Sequence, residues 1–251
     1  MKTTGKEQRM SRLLLVIGGV FLVATPCAAG VTPCRFDGVR CRTNEDCCSG
    51  VCTANVCGPR TTKCQAFPAT GQTMSFQSGD DGAIQAGAPL SYTDNGDGTI
   101  TDNNTGLVWE KLGMDRSIHD VRNVSTWTGA FSHPAALNSM NFAGHNDWRL
   151  PNVRELQGIV NYGAFNPAVS EAFKTGCTEG CTPTSCSCTA DNEIALEVAR
   201  PPFYWSSTTD ASAPAEKAFP GNGWGVDFFS GFLGANVKDN SYFIRCVRGG
   251  S

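Results

Sequence analysis

Thirteen cysteines give this 251-residue chain most of its chemical potential. Six of them, Cys34, Cys41, Cys47, Cys48, Cys52 and Cys57, follow the pattern C-x6-C-x5-C-C-x3-C-x4-C. Four more, Cys177, Cys181, Cys186 and Cys188, crowd into a Thr- and Gly-rich stretch as C-x3-C-x4-C-x-C. Sulfur at this density serves as disulfide staples or as soft metal ligands. Zinc suits the first group poorly, because Cys47 and Cys48 are adjacent and no histidine is near. The second group reads as a loop closed by its own two bridges, with metal binding as the sharper alternative.

Catalytic spacing is harder to find. His119, His133 and His145 sit in no metal or proton-transfer motif; H-E-x-x-H and G-x-S-x-G are absent, and no glycine loop for phosphates follows a strand. Carboxylates are plentiful, but nothing singles out a catalytic pair. The expectation is no catalytic residue and no cofactor. Calcium is a weak alternative in the loop carrying Asp94, Asp97, Asp102 and Asn104. The spacing there does not match the D-x-[DN]-x-[DN]-G pattern, and turn chemistry accounts for each Asn, Asp and Gly without a metal.

Compartment follows from the first thirty residues. Lys2, Lys6, Arg9 and Arg12 precede an apolar run from Leu13 to Ala24, and Pro26-Cys27-Ala28-Ala29-Gly30 supplies small residues for cleavage. The run is short of the roughly 20 residues a transmembrane helix needs, so residues 1–29 read as a secretory signal. An uncleaved membrane anchor and a lipoprotein acylated at Cys27 are the alternatives. Cleavage removes four cations and one anion from totals of 20 and 23, leaving 16 against 22 and a net charge of −6. It also removes Cys27, so twelve cysteines enter an oxidising compartment, the even number that complete pairing requires. The expected location is secreted, periplasmic or cell-surface. An acidic chain without a Lys/Arg cluster is no nucleic-acid binder, and it attracts no polyanion.

Residues 30–58 form a module too small for a core, which must depend on covalent staples. Its spacing resembles inhibitor-cystine-knot (knottin) modules. That resemblance implies Cys34–Cys48, Cys41–Cys52 and Cys47–Cys57 bridges. A spacer or stapled cap is its expected role. Residues 59–62 read as a linker, and 63–248 as the main domain.

Within the main domain, Tyr92-Thr93-Asp94 and Thr99-Ile100-Thr101 flank Asn95-Gly96-Asp97-Gly98, which predicts a hairpin. Leu107-Val108-Trp109 continues as a strand. Thr126 to about Met140 reads as a helix capped by Thr126, with Pro134 inside it as a conflict. A second helix is capped by Asn152, with Glu155 reaching back and Val153, Leu156, Ile159 and Val160 as its buried stripe. Phe203–Ser207, Trp224–Phe229 and Tyr242–Val247 read as strands. Strands at both ends with helices between them predict an α+β domain with mainly antiparallel strands and two helices.

Four segments then form an ordered set: Thr93–Asp102 with Thr105-Gly106-Leu107-Val108-Trp109; Asp147-Trp148-Arg149-Leu150-Pro151-Asn152 with Glu155-Leu156; Tyr204-Trp205-Ser206-Ser207-Thr208; and Arg245-Cys246-Val247-Arg248. From about Gly71 to Arg248 the chain resembles the C-terminal (Lcl C) domain of collagen-like bacterial adhesins. The resemblance implies a C-type-lectin-like fold, distantly related to that of formylglycine-generating enzymes. It also implies an extracellular protein and, in the best understood members, a sulfated-glycan adhesin. In such a fold the chain ends lie side by side, which implies a Cys64–Cys246 bridge.

Trp109, Trp148 and Trp205 are expected in or near the core. Arg149 is expected to stack on a ring or pair with Asp147 or Glu155, and Pro151 belongs to the same motif. The expected function is non-catalytic recognition of a glycan or another extracellular polymer, on a surface built from Trp224, Asp227, Lys238, Asp239, Asn240 and Tyr242. The charge points away from sulfated ligands, and no collagen-like tract fixes an oligomeric state. The alternatives are a structural or protein-interaction role and, less strongly, an enzyme of the formylglycine-generating type.

Overall fold

The computed structural model describes residues 40, 42, 52–57, 67–212 and 221–250. The expected signal segment (1–29), the expected linker (59–62), Cys64 and most of the cysteine module lie outside the described residues. So do the three bridges implied by the knottin resemblance; of their cysteines, Cys52 is disulfide-bonded. The chain forms two compact units, Met1–Cys64 and Gln65–Ser251. In the first, strands β1 (Cys52–Thr53) and β2 (Val56–Cys57) make a small antiparallel hairpin around Ala54 and Asn55, both at positive φ.

The second unit is α+β, with two mainly antiparallel sheets and short helices. Strands β3 (Tyr92–Asp94), β4 (Thr99–Asp102), β5 (Val108–Glu110) and β11 (Val247–Arg248) form a four-stranded sheet in the order β11-β5-β4-β3. The predicted hairpin is present, in the register Tyr92↔Asp102 and Asp94↔Ile100. The other sheet has the order β6-β10-β7-β8-β9 and comprises β6 (Val124–Ser125), β7 (Phe203–Thr209), β8 (Asn222–Asp227), β9 (Phe232–Val237) and β10 (Tyr242–Phe243). Tyr242–Val247 is therefore not one strand. The chain leaves the five-stranded sheet after Phe243 and joins the other at Val247, so Ile244, Arg245 and Cys246 cross between the two.

Side-chain alternation on β7 divides the core. Tyr204 is fully buried in the larger cluster with Val226, Phe228 and Phe243, while Trp205 is fully buried in the smaller one with Phe203, Tyr242 and Trp148. Close packing leaves no room for a side chain at Gly223, where a Cβ would lie 2.6 Å from the Trp127 ring.

Five short α-helices lie among the described residues, rather than the two expected: α1 (Asp81–Ile84), α2 (Trp127–Ala130), α3 (Ser132–Ser139), α4 (Val153–Gly158) and α5 (Asn192–Glu197), with single 3-10 turns at Phe142–Gly144 and Glu171–Phe173. The helix expected over residues 126–140 is two. Thr126 caps α2 by accepting from the Gly129 N–H, the chain breaks at Phe131, and a new helix starts at Ser132. Pro134 thereby falls in a first turn, where no backbone donor is needed, and the conflict disappears. The α4 capping box forms as expected: Asn152 Oδ1 accepts from Glu155 N at 3.0 Å and Glu155 Oε2 accepts from Asn152 N at 2.7 Å. Among the described residues no helix is long and apolar enough to cross a membrane.

Candidate functional site

Three distant segments converge beside β5. Glu110 ends that strand with its side chain wholly buried. Its Oε1 lies 2.7 Å from His119 Nδ1, on the loop after β5, and 2.9 Å from His133 Nε2, in the first turn of α3. Its Oε2 lies 3.1 Å from His133 Nε2 and accepts the Cys246 backbone N–H at 3.0 Å. Burial alone would raise the Glu110 pKa, but the His133 charge and the hydrogen bonds from both imidazoles hold it far below the ordinary carboxylate range. His133 titrates above its ordinary value: burial opposes its charge, and the carboxylate prevails.

Cys246 is a free thiol, fully buried. This corrects the expected Cys64–Cys246 bridge. The residue lies in the crossing between the sheets, packed against Glu110, and Cys64 lies outside the described residues. Burial pushes the thiol pKa well up, and the neighbouring Glu110 charge pushes it further. Sulfur, imidazole and carboxylate atoms of Cys246, His133 and Glu110 all lie within 4.8 Å of one another. Sequence spacing hides this cluster, because its members are far apart along the chain.

Arg245, also buried, faces the other way. Its Nη1 donates to the Glu110 carbonyl at 3.2 Å, and its Nη2 donates to the Cys188 carbonyl and to Thr189 Oγ1. The guanidinium thus ties the crossing segment to the cysteine loop. That loop is closed by Cys177–Cys188 and Cys181–Cys186, the two internal bridges its composition suggested.

Turn chemistry occupies the acidic loop. Asp94 accepts from Gly96 N and from Lys111 Nζ, Asp97 from Thr99 N and Oγ1, and Asp102 from Asn104 N and Thr105 Oγ1. Among the described residues, the groups close enough to share an ion are Glu110/His133/Cys246 and Cys181/Cys186/Cys188, not these aspartates.

The six residues expected to form a ligand surface are not brought together. Trp224 alternates with the glycines that pack on Trp205, so it points to the opposite face of the sheet from Tyr242, which packs on Trp205. Tyr242 is buried, 7 % exposed. Lys238 is buried too: its Nζ sits 3.7 Å above the Trp127 ring and donates to Thr209 Oγ1 at 2.9 Å. Asp227 accepts from Phe229 N at the end of β8. Asp239 and Asn240 are exposed, and Asn240 Nδ2 donates to the Tyr242 hydroxyl at 3.4 Å. These contacts support the fold instead.

A surface cleft lies elsewhere, on the second family-like motif. Phe131, Pro134, Ala135 and Asn138 form one wall, and Trp148, Arg149, Leu150 and Ser207 the other, enclosing about 420 Å3. The two halves of the Asn138 amide clamp Trp148, accepting from its N–H at 2.7 Å and donating to its carbonyl at 2.9 Å. The indole Nε1 donates to the Phe142 carbonyl at 3.1 Å, and Trp148 is buried beneath the cleft. Arg149 makes the expected carboxylate pair with Glu155 rather than Asp147, which instead binds Arg248 at 2.7 Å. Phe131, 41 % exposed and edge-on to Trp127, offers its ring at the rim. No signal in the sequence announces this site, because the interruption at Phe131 is hidden inside an apparently continuous helix.

No curated protein matches this sequence. Residues 98–248, more than half of the chain, match the family described as the Lcl C-terminal domain. All four motif segments overlap or lie within that span, and the chain belongs to the Lcl C-terminal domain family.

Proposed function

We propose that this is an extracellular, non-catalytic recognition domain that binds a glycan at the Phe131–Arg149 cleft. The carrying observation is the cleft's makeup: an exposed aromatic ring and an apolar wall, rimmed by the Arg149 guanidinium and the Ser207 hydroxyl. Sugars are recognised by such combinations, with a ring face for their C–H surfaces and fixed polar groups for their hydroxyls. The volume falls in the ordinary range for small-ligand sites, roughly 300–1,000 Å3. Family membership, the two bridges in the cysteine loop and the leader-like first thirty residues support an exported setting. Arg149 is already neutralised by Glu155, and the mature chain is acidic, so a neutral glycan fits better than a sulfated one.

The non-catalytic part of the reading is supported by where the nucleophile sits. Cys246, Glu110 and His133 are the best catalytic constellation among the described residues, and their burial closes them to any organic substrate. A glycan array probed with purified protein, with calcium and then with chelator, tests the proposal. Calcium-independent binding without degradation of the bound sugar is expected; product release would refute it.

One observation favours a second reading, a protein-interaction surface. Strand β9 is the sheet's outer strand, its sequence Phe-Leu-Gly-Ala-Asn-Val carries no charge or proline, and Phe232 and Val237 are exposed. Uncharged edges of this kind accept an added strand. A recovered protein partner that competes at β9, with no glycan retained, would favour it.

A further inference from the structure

We propose that Glu110, His133 and Cys246 form a buried site for one divalent ion of the zinc class, which locks α3 to the crossing between the two sheets. This does not rest on the glycan reading, since none of the three donors lines the cleft.

Three observations converge on it. The donor set is a carboxylate, an imidazole and a thiol, the repertoire zinc takes from proteins. The three donors come from β5, α3 and the segment before β11, yet their atoms lie within 4.8 Å of one another. All three residues are buried, and His133, at 8 % exposure, has the most contact with solvent of the three.

Geometry permits the ion with little movement. Zinc–ligand bonds of about 2.0–2.3 Å in a tetrahedron place neighbouring ligand atoms about 3.3–3.6 Å apart. His133 Nε2 now stands 2.9 and 3.1 Å from the two Glu110 oxygens. A shift of a few tenths of an ångström opens that edge, and the Cys246 sulfur lies within 4.8 Å of both. Support for the ligands is already built: His119 Nδ1 and the Cys246 backbone N–H hold the carboxylate from outside, as outer groups hold ligands in metal sites.

A bound dication would take the cysteine as thiolate, its proton leaving to solvent, and would neutralise it together with the carboxylate. The other sulfur cluster, Cys181/Cys186/Cys188, cannot compete while Cys177–Cys188 and Cys181–Cys186 remain oxidised.

The test uses full-length purified protein with its disulfides intact, stripped by chelator and titrated with Co(II) and, separately, Zn(II). One equivalent should bind, and Co(II) should show near-ultraviolet thiolate charge transfer. Cys246→Ala should abolish that band, and His119→Ala should weaken binding about 10–100-fold. X-ray absorption of the zinc-loaded wild type should show one sulfur ligand, a readout that stands even if Cys246→Ala fails to fold. Absence of stoichiometric metal would overturn the proposal. So would a charge-transfer band that survives in folded Cys246→Ala, because the metal would then lie elsewhere.

Discussion

Arg149 grips Glu155 at two points, Nη1 to Oε2 and Nη2 to Oε1, both at 2.7 Å, while the same Glu155 Oε2 accepts the Asn152 N–H that begins α4. One carboxylate thus caps a helix and anchors the cleft wall. Arg149 Nη2 also donates to the Gly249 carbonyl at 2.8 Å, so the chain end is fastened by the same guanidinium.

Replacing Glu155 with Gln keeps the cap but loses the fork. Arg149 is over a third exposed, so solvent screens the pair. A stability loss of about 1–2 kcal/mol is expected by urea denaturation. Arg149→Lys should lose a similar amount, because an ammonium cannot make the parallel contacts. No change in either variant would show that the fork contributes nothing.

Lys111 is buried, 2 % exposed, and its ammonium pairs with Asp94 at 2.7 Å on the more exposed hairpin. Partial burial works to raise the Asp94 pKa, yet the Lys111 hydrogen bond and charge and the Gly96 N–H outweigh it and hold the carboxyl below its ordinary 3.8. A depressed folded-state pKa contributes stability fully present above the unfolded value and lost as pH falls through the folded one. Asp94→Asn should therefore flatten the acid limb of stability below about pH 4. At neutral pH it should cost about 1–3 kcal/mol by leaving Lys111 unpaired, and Lys111→Met should cost less, since it removes the buried charge altogether. The reverse order of the two variants would contradict this account.

Gly225 lies where strand β8 crosses Phe203 and Tyr204. A Cβ there would collide with the Tyr204 carbonyl oxygen and lie 2.5 Å from the Phe203 ring. Backbone and a core aromatic cannot move aside cheaply, so Gly225→Ala should destabilise by about 1–3 kcal/mol. Gly96, whose Cβ would meet nothing, is the control for open space, with strain only from its φ of +76°. Thermal unfolding of the two variants distinguishes packing from backbone strain.

Peptide mapping without reduction should recover Cys177–Cys188 and Cys181–Cys186 as nested links. Removing the outer pair as Cys177→Ser/Cys188→Ser should cost about 2–4 kcal/mol. A Cys246 found in a disulfide would contradict the buried free thiol.

Local chemistry was the legible part of this chain. Asn152 and Glu155 are three residues apart, and so are a capping box by spacing alone; Asn95-Gly96-Asp97-Gly98 is a turn before any tertiary contact forms. Long-range geometry was not legible. Phe131 interrupts the expected helix because its N–H turns to the Gly129 carbonyl at the end of α2, which no propensity reveals. Tyr242–Val247 alternates like one strand although Arg245 must turn inward to reach Cys188 and Thr189, forcing the switch between sheets. Strand β9 was missed because Gly234, Ala235 and Asn236 give almost no alternating signal, and α5 because only the Asp191 cap announces it. Trp224 and Tyr242 do not share one surface for the same reason: sequence shows which residues are aromatic, while strand register decides which face they share.

Running wild type, Phe131→Ala and Trp224→Ala side by side on one glycan array puts the cleft to its most direct trial. The wild type and Trp224→Ala should retain the same sugars, while Phe131→Ala, folded by circular dichroism, should lose them. Retention by Phe131→Ala together with loss by Trp224→Ala, or no glycan held by the wild type at all, would contradict recognition at this cleft.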